Sequence, residues 1–190
     1  MKLSLQLLAP YLAVGLFCCV WRNAWLAILT YHAQIVFWSW CSWHKWHKPA
    51  YKHTLLLALP AVLAGPLLYI LLPHITQEPL SSWLNSQHLS RMSLMALIPY
   101  FGLIHPVLEQ CYWARLREQT PLSHPLFAGY HLVVLVTLLK PPWLIVCFVV
   151  LTAASSVWQQ MVRRPHSLAA PIASHILADL GIVIVVWMQC

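Results

Sequence analysis

Residues 92–113 read MSLMALIPYFGLIHPVLEQCYW, an apolar run long enough to cross a bilayer, with one carboxylate, Glu109, inside it. A second apolar run, LAAPIASHILADLGIVIVVWM at residues 168–188, encloses Asp179 in the same way. Placing an ionised side chain at the bilayer centre costs about 2.5–3.5 kcal/mol even on the lenient insertion scales. Carboxylates in such positions are therefore candidates for a functional site.

A histidine precedes each of these carboxylates by four residues, His105 before Glu109 and His175 before Asp179. In a helix that spacing places both groups on one face. The sequence therefore predicts a multispanning membrane protein with a polar centre between its helices.

The composition favours a membrane location. The 190 residues are 61% hydrophobic and only 8% charged, whereas soluble domains are about 25% charged. A formal net charge of +7 is also typical of nucleic-acid-binding proteins, but here the basic residues stand singly or in pairs between apolar segments. Because that is the distribution of topology determinants, we expect membrane lipids rather than nucleic acid to face this charge.

Seven apolar segments can be delimited, each near the roughly 20 residues that cross a bilayer. They run approximately over residues 3–20, 24–40, 55–72, 92–113, 125–139, 143–161 and 168–188. The sequence has no visible internal repeat and no loop large enough for a soluble domain. It therefore predicts an all-α, polytopic membrane bundle of about seven helices, with a single transmembrane domain over residues 1–190.

The basic residues predict the orientation. With the N-terminus in the cytoplasm, the outside carries Arg22, Arg91 and Lys140. The cytoplasmic side then carries Lys2, Lys45, Lys48, Lys52, Arg115, Arg117, Arg163 and Arg164. This is a positive-inside bias, and we expect an integral protein of a bacterial inner (cell) membrane.

The loop at residues 42–53, SWHKWHKPAYKH, allows two interpretations. A metal site would use Cys41, His44, His47 and His53. An interfacial loop would place its tryptophans at headgroup depth and its lysines at lipid phosphates. We adopt the second interpretation because aromatic belts and cytoplasmic lysines are usual at the ends of spans.

Three polar clusters lie in three different segments. They are HPVLEQCYW at residues 105–113, FAGYH at 127–131 and HILAD at 175–179. Glu109, His131 and His175 lie about six or seven residues from the cytoplasmic ends of their segments, and about 1.5 Å of rise per residue puts all three about 9–11 Å below that interface. A shared depth predicts that the three side chains converge on one site.

A carboxylate and two imidazoles at one level support two chemistries. In a water-activating site, Glu109 is a general base and the imidazoles stabilise the oxyanion of a tetrahedral intermediate. In a metal site, Glu109, Asp179 and two histidines match the ligands that zinc prefers. A third interpretation is purely structural, a set of interhelical hydrogen bonds worth about 0.6 kcal/mol each.

The three clusters resemble the motifs of the CAAX protease and bacteriocin-processing (Abi) family of intramembrane glutamic-type endopeptidases. The pattern of that family is E-E-x-x-x-R, then F-x-x-x-H, then H-x-x-x-N or D, in this order on membrane helices. The matching positions here are residues 109–114, 127–131 and 175–179. The family-like core extends over about residues 91–188.

The resemblance implies an intramembrane endopeptidase that needs no metal or other cofactor and acts on a peptide or protein that is lipid-modified or embedded in the membrane. Glu109 with His131 would activate water, and His175 with Asp179 would shape the oxyanion site. The side chains expected to contact substrate are Gln110, Trp113 and Phe127.

Two positions depart from the family pattern. Gln110 replaces the second glutamate, and Ala114 stands where the pattern has arginine, although Arg115 follows directly. These departures support a second hypothesis, a non-proteolytic membrane immunity, scaffold or maturation factor. A transporter or channel that uses Glu109 and Asp179 as a proton relay would need polar groups throughout the membrane depth, whereas the predicted ones share one leaflet.

Overall fold

The computed structural model describes residues 2–39, 56–163 and 167–190. Every regular element in these ranges is helical, which confirms the predicted all-α class. The loop at residues 42–53, and with it both interpretations of that loop, lies outside the described residues.

The helices follow one another in chain order with short connections. They are α1 (Lys2–Val14, continued by a π-helical stretch, Gly15–Val20), α2 (Ala24–Ser39), α3 (Ala64–Ile75, preceded by a 3-10 helix, Leu59–Leu63), α4 (Leu80–Ser86), α5 (Arg91–Pro99, continued by a π-helical stretch, Tyr100–Ile104), α6 (His105–Gln119), α7 (Ser123–Leu135), α8 (Pro141–Arg163) and α9 (Ala169–Gln189).

Five helical stretches among the described residues are long and apolar enough to cross a membrane. They are Leu3–Val20, Leu56–Ile75, Arg91–Gln119, Pro141–Val162 and Ala169–Gln189. Helices α2 and α7 have 16 and 13 residues, which at about 1.5 Å per residue is shorter than the roughly 30 Å hydrocarbon core. The chain therefore has the helices of a membrane protein, and five of them reach spanning length.

Two of the predicted segments end at different places in the structure. The fifth, expected at residues 125–139, is helical only from Ser123 to Leu135, because Leu139 forms an isolated antiparallel bridge with Thr76. The fourth, expected to end at residue 113, remains helical to Gln119. The orientation argument counted Arg117 among the cytoplasmic basic residues beyond the fourth segment; in the structure this residue lies within α6 and its side chain is buried.

The long helical stretch Arg91–Gln119 changes its hydrogen-bonding pattern in the middle. Tyr100–Ile104 is π-helical, and Pro106 follows at the start of α6. A proline has no amide hydrogen to donate, so the regular α-helical bonding cannot continue through this position. Wide π turns of this kind are frequent at functional sites, and this one is followed directly by His105, which is buried with Glu109 on the inner face of α6.

The distribution of polarity is the inverse of that in a water-soluble protein. Glu109 and Gln110 are at most 1% exposed, whereas Leu12, Phe37 and Ile70 are 65–69% exposed. In water such an apolar exterior would be an aggregation hazard, but lipid tails solvate it. Charged groups inside a membrane protein face the bundle interior for the same reason.

Helices α3 and α9 pack against each other through a pair of glycines. A Cβ atom added to Gly65 would lie 3.0 Å from the Cα atom of Gly181, and one added to Gly181 would lie 3.1 Å from the backbone of Gly65. Both obstacles are backbone atoms, which cannot rotate away. Small residues at a contact allow this kind of close packing between membrane helices.

We expect Gly65→Ala to lower the thermal stability of the purified protein in detergent. Overpacking costs about 1–3 kcal/mol, which exceeds the gain of about 0.5–1 kcal/mol from replacing a helical glycine. Gly15→Ala is the matched control, because its Cβ would meet only Val133 Cγ1 at 3.8 Å, an ordinary contact. Equal melting temperatures for the two variants would contradict this account of the α3–α9 contact.

Candidate active site

Glu109 lies at the centre of the polar residues that the helices enclose. Its side chain is fully buried on α6, and Oε1 accepts hydrogen bonds from the hydroxyls of Tyr31 on α2 and Tyr130 on α7. The Trp113 indole N–H donates in turn to the Tyr31 hydroxyl at 3.3 Å. Two donors on one oxygen stabilise a negative charge there and fix the direction of the carboxylate.

The other oxygen of Glu109, Oε2, has no hydrogen-bond partner among the described residues. It lies 3.6 Å from His105 Nε2 and 3.7 Å from His175 Nε2. Asp179 Oδ2 completes the group, 3.3 Å from His175 Nε2 and 3.8 Å from His105 Nε2. We call these four atoms the polar centre. Most of these separations exceed a direct hydrogen bond, so Oε2 keeps its lone pairs for a further partner.

His175 is oriented from behind by two residues of α6. Arg117 Nη2 donates to Gln110 Oε1 at 2.6 Å, and Gln110 Nε2 lies 3.1 Å from His175 Nδ1. A guanidinium only donates, so the amide oxygen must face Arg117 and the amide NH2 must face the imidazole. Nδ1 of His175 is then the acceptor, and the ring proton is on Nε2, directed at the polar centre.

Arg117 also belongs to a closed ring of hydrogen bonds next to the site. It donates through Nη1 to Ser155 Oγ at 3.3 Å, and Ser155 Oγ lies 3.0 Å from His124 Nδ1. His124 Nε2 lies 3.0 Å from Gln159 Oε1, and Gln159 Nε2 donates to the Arg117 carbonyl at 2.9 Å. These bonds tie α6, α7 and α8 together and hold the guanidinium against Gln110.

His131, expected beside Glu109, reaches it through a second side chain. Its Nδ1 lies 2.9 Å from the Phe127 carbonyl, so this nitrogen carries a proton, and its Nε2 lies 3.1 Å from the Tyr130 hydroxyl. That hydroxyl is the same one that contacts Glu109. The phenol has one proton to share between the carboxylate and the imidazole, so Tyr130 connects the two groups.

The residues expected to contact substrate are buried inside the helix bundle and do not line an exposed groove. Trp113 and Phe127 are at most 1% exposed and pack edge to face, with ring centroids 5.5 Å apart. Gln110 is equally buried and contacts His175 and Arg117. In this structure all three support the side chains around Glu109.

Three contributors to the site were not assigned to it from the sequence. Tyr31 and His32 on α2 were overlooked although a Tyr-His pair inside an apolar segment is itself unusual. His32 Nε2 lies 2.8 Å from His105 Nδ1. Arg117 was counted only among the cytoplasmic basic residues, although it stands seven residues after Gln110, two helical turns away and therefore on the same face.

Comparison with known proteins gives no relative for this chain. No protein-family model, no curated protein and no solved structure matches it.

We expect Arg117→Met to lower the free energy of unfolding by about 1–3 kcal/mol, because Gln110 Oε1 and Ser155 Oγ would lose a buried donor. Arg115→Met is the control, since Arg115 Nε and Nη2 have no hydrogen-bond partner among the described residues. Thermal unfolding of both variants in the same detergent measures the difference. If Arg115→Met is as destabilising as Arg117→Met, the hydrogen bonds of Arg117 do not account for the loss of stability.

Proposed function

We propose that this chain is an intramembrane endopeptidase that hydrolyses a peptide bond near the cytoplasmic face of the membrane. The observation that carries the proposal is the asymmetric carboxylate of Glu109. One oxygen is anchored by two phenols, and the other is free and faces two imidazoles. A buried base with a free oxygen beside a donor is the arrangement that water activation requires.

In the proposed reaction, water attacks the scissile carbonyl carbon while Glu109 Oε2 accepts one of its protons. The carbonyl oxygen becomes an oxyanion, and the Nε2–H of His175 donates to it. Asp179, 3.3 Å from that nitrogen, orients the imidazole before substrate binds. His131 supports the carboxylate through the shared hydroxyl of Tyr130.

The resemblance to the CAAX protease and Abi family supports the same assignment, since its three motifs supply Glu109, His131, His175 and Asp179. The structure adds a residue to the comparison. The pattern has an arginine at position 114, where this chain has alanine. Arg117, about one helical turn after Ala114, contacts Gln110 instead. A neutral glutamine with an arginine partner thus stands where the family has a glutamate and an arginine.

We propose that α2 and α7 also cross the membrane, giving seven spans with a cytoplasmic N-terminus in a bacterial inner membrane. Both helices supply a hydrogen-bond donor to Glu109, Tyr31 from α2 and Tyr130 from α7. Both must therefore lie beside α6 at the depth of the carboxylate. Local thinning of the bilayer accommodates helices shorter than its hydrocarbon core. The substrate is then a membrane-embedded or lipid-modified peptide.

One observation favours a second candidate, a non-proteolytic immunity, scaffold or maturation factor. Glu109 and Gln110 are almost completely buried, so substrate has to displace neighbouring side chains to reach the carboxylate. A binding role that leaves the polar centre closed has no such requirement.

Cleavage can be tested without a known substrate by mapping new peptide N-termini in membranes from cells that carry the native gene. We expect wild type to produce N-termini on membrane proteins that Glu109→Gln does not, because the amide cannot accept a proton from water. Glu118→Gln, an exposed carboxylate on the same helix, should behave as wild type. Identical N-termini from wild type and a folded Glu109→Gln protein would favour the scaffold.

We further propose that the site works without zinc. His105, His175 and Asp179 each offer a ligand atom, and these atoms lie within 4.8 Å of one another. However, a metal needs the lone pair of His175 Nε2, and the contact from Gln110 leaves a proton on that nitrogen.

We therefore expect purified wild-type protein to contain substoichiometric zinc by elemental analysis. Gln110→Glu should retain more zinc than wild type, because its carboxylate accepts the Nδ1 proton of His175 and frees Nε2 for a metal. Stoichiometric zinc in wild type that is lost in His175→Ala would overturn the proposal of a metal-free site.

A further inference from the structure

His105 and His32 form a pair of imidazoles that the family motifs do not include. His105 Nδ1 lies 2.8 Å from His32 Nε2, and His32 Nδ1 lies 2.7 Å from the carbonyl oxygen of Ile28. Both rings are buried between aromatic side chains. Tyr100 packs edge to face on His32, and Phe101 does so on His105.

The carbonyl of Ile28 fixes where the protons of this pair lie. A carbonyl only accepts hydrogen bonds, so Nδ1 of His32 carries a proton. In the neutral pair His32 Nε2 is then an acceptor, and Nδ1 of His105 donates to it. The Nε2 atom of His105 is left with a lone pair.

That lone pair faces two acceptors, Glu109 Oε2 at 3.6 Å and Asp179 Oδ2 at 3.8 Å. The Nε2–H of His175 is the one proton already at the polar centre, so these three acceptors share a single donor and repel one another. One added proton on the pair, wherever it rests along the His32–His105 bond, puts an N–H on His105 Nε2, directed at both carboxylates. The neutral pair is therefore built to accept a proton, and the charged pair is stabilised by the two carboxylates.

The two motif histidines, His175 and His131, are placed differently from His105. His175 already carries its proton on Nε2 because Gln110 donates to Nδ1. His131 lies outside the polar centre, and its Nε2 contacts the Tyr130 hydroxyl, whose proton is directed at Glu109 Oε1. Of the two histidines with a ring nitrogen at the polar centre, His105 is thus the one whose nitrogen there is an acceptor without a donor.

We propose that His105 is a catalytic residue that carries the proton from Glu109 to the leaving amine, and that His32 is the positioning residue that holds its tautomer. This inference rests on the proposed peptidase function and extends it to a residue outside the three motifs. A base oriented by a second group, which is itself oriented by a third, is the general arrangement of an activated proton carrier.

The protons balance in the following sequence. The water oxygen bonds to the scissile carbonyl carbon as one water proton moves to Glu109 Oε2. Glu109 passes this proton to His105 Nε2, which makes the imidazolium. The C–N bond then breaks as the amine nitrogen takes the proton from His105, and the carboxyl product keeps the second water proton until it ionises in solvent.

The leaving group provides the test. An amine must be protonated as it leaves, whereas a thiol can leave as a thiolate. The probes are two peptides that span a cleavage position found from the new N-termini, one with the native amide bond and one with a thioester at that bond. We expect His105→Gln to slow amide hydrolysis about 10²–10⁴-fold, the range for general acid–base catalysis, and to retain most of the thioester hydrolysis. His74→Gln, an exposed histidine, is the control.

The positioning role of His32 is tested by two substitutions at one site. His32→Gln can still accept the Nδ1 proton of His105 through its amide oxygen and should keep most amide hydrolysis. His32→Leu cannot accept it and should show the same loss of amide hydrolysis, with thioester hydrolysis retained, as His105→Gln.

The outcomes separate this inference from the function on which it rests. Equal slowing of both peptides by His105→Gln, with wild type active, overturns the role of His105 alone. No cleavage by wild type overturns both proposals. Independently of substrate, 15N spectra of histidine-labelled protein should assign a neutral His105 with its proton on Nδ1; a proton on Nε2 in the neutral ring would contradict the inference.

Discussion

The burial of a carboxylate in a lipid-solvated bundle is the constraint on which the rest of the site depends. Glu109 is fully buried, so its charge must be stabilised by donors from the protein. No neighbour on its own helix is seen to donate to Oε1; the phenols come from α2 and α7. The packing of three helices is thereby tied to one side chain. Removing Glu109 would take the acceptor from both phenols, and removing either phenol would leave Oε1 with one donor.

The direction of hydrogen bonds follows from the groups at the ends of each chain of contacts. Arg117 can only donate and the Ile28 carbonyl can only accept, so each fixes the tautomer of the imidazole connected to it. As a result, His175 presents an N–H to the polar centre and His105 presents a lone pair. Two residues of one type thus have opposite capacities within 4.8 Å of each other. This difference is the chemical basis for the proposal that His175 donates to the oxyanion and His105 carries the proton.

The amide of Gln110, at the position where the CAAX protease pattern that the sequence resembles has a second glutamate, has a specific consequence here. A carboxylate in that position would draw a proton onto His175 Nδ1 and release Nε2, whereas the amide donates to Nδ1. The buried Arg117 is then left without a carboxylate in direct contact and is held by Gln110 and by the ring through Ser155. The amide at Gln110 and the hydrogen bonds that hold Arg117 are therefore mutually consistent.

Much of the fold follows from the sequence because lipid imposes a simple rule: apolar runs of sufficient length become helices. That rule predicted the all-α class and the apolar helices, and the spacing of four residues placed His105 beside Glu109 and His175 beside Asp179. It did not give the ends of α6 and α7, because these depend on a contact with Thr76 and on the burial of Arg117. The roles of the side chains in catalysis stay predictions.

Tertiary structure alone decided which groups meet across helices. Tyr31 and His32 lie more than 70 residues from Glu109 and His105 in sequence, and no local pattern connects them. The same is true of the link from His131 through Tyr130, since the depth argument predicted only that His131 and Glu109 converge on one site. Periodicity fixes the face of a helix on which a residue lies. Hydrogen-bond partners and tautomers depend instead on how the helices pack, because a hydrogen bond between helices requires a distance of about 3 Å between its two atoms.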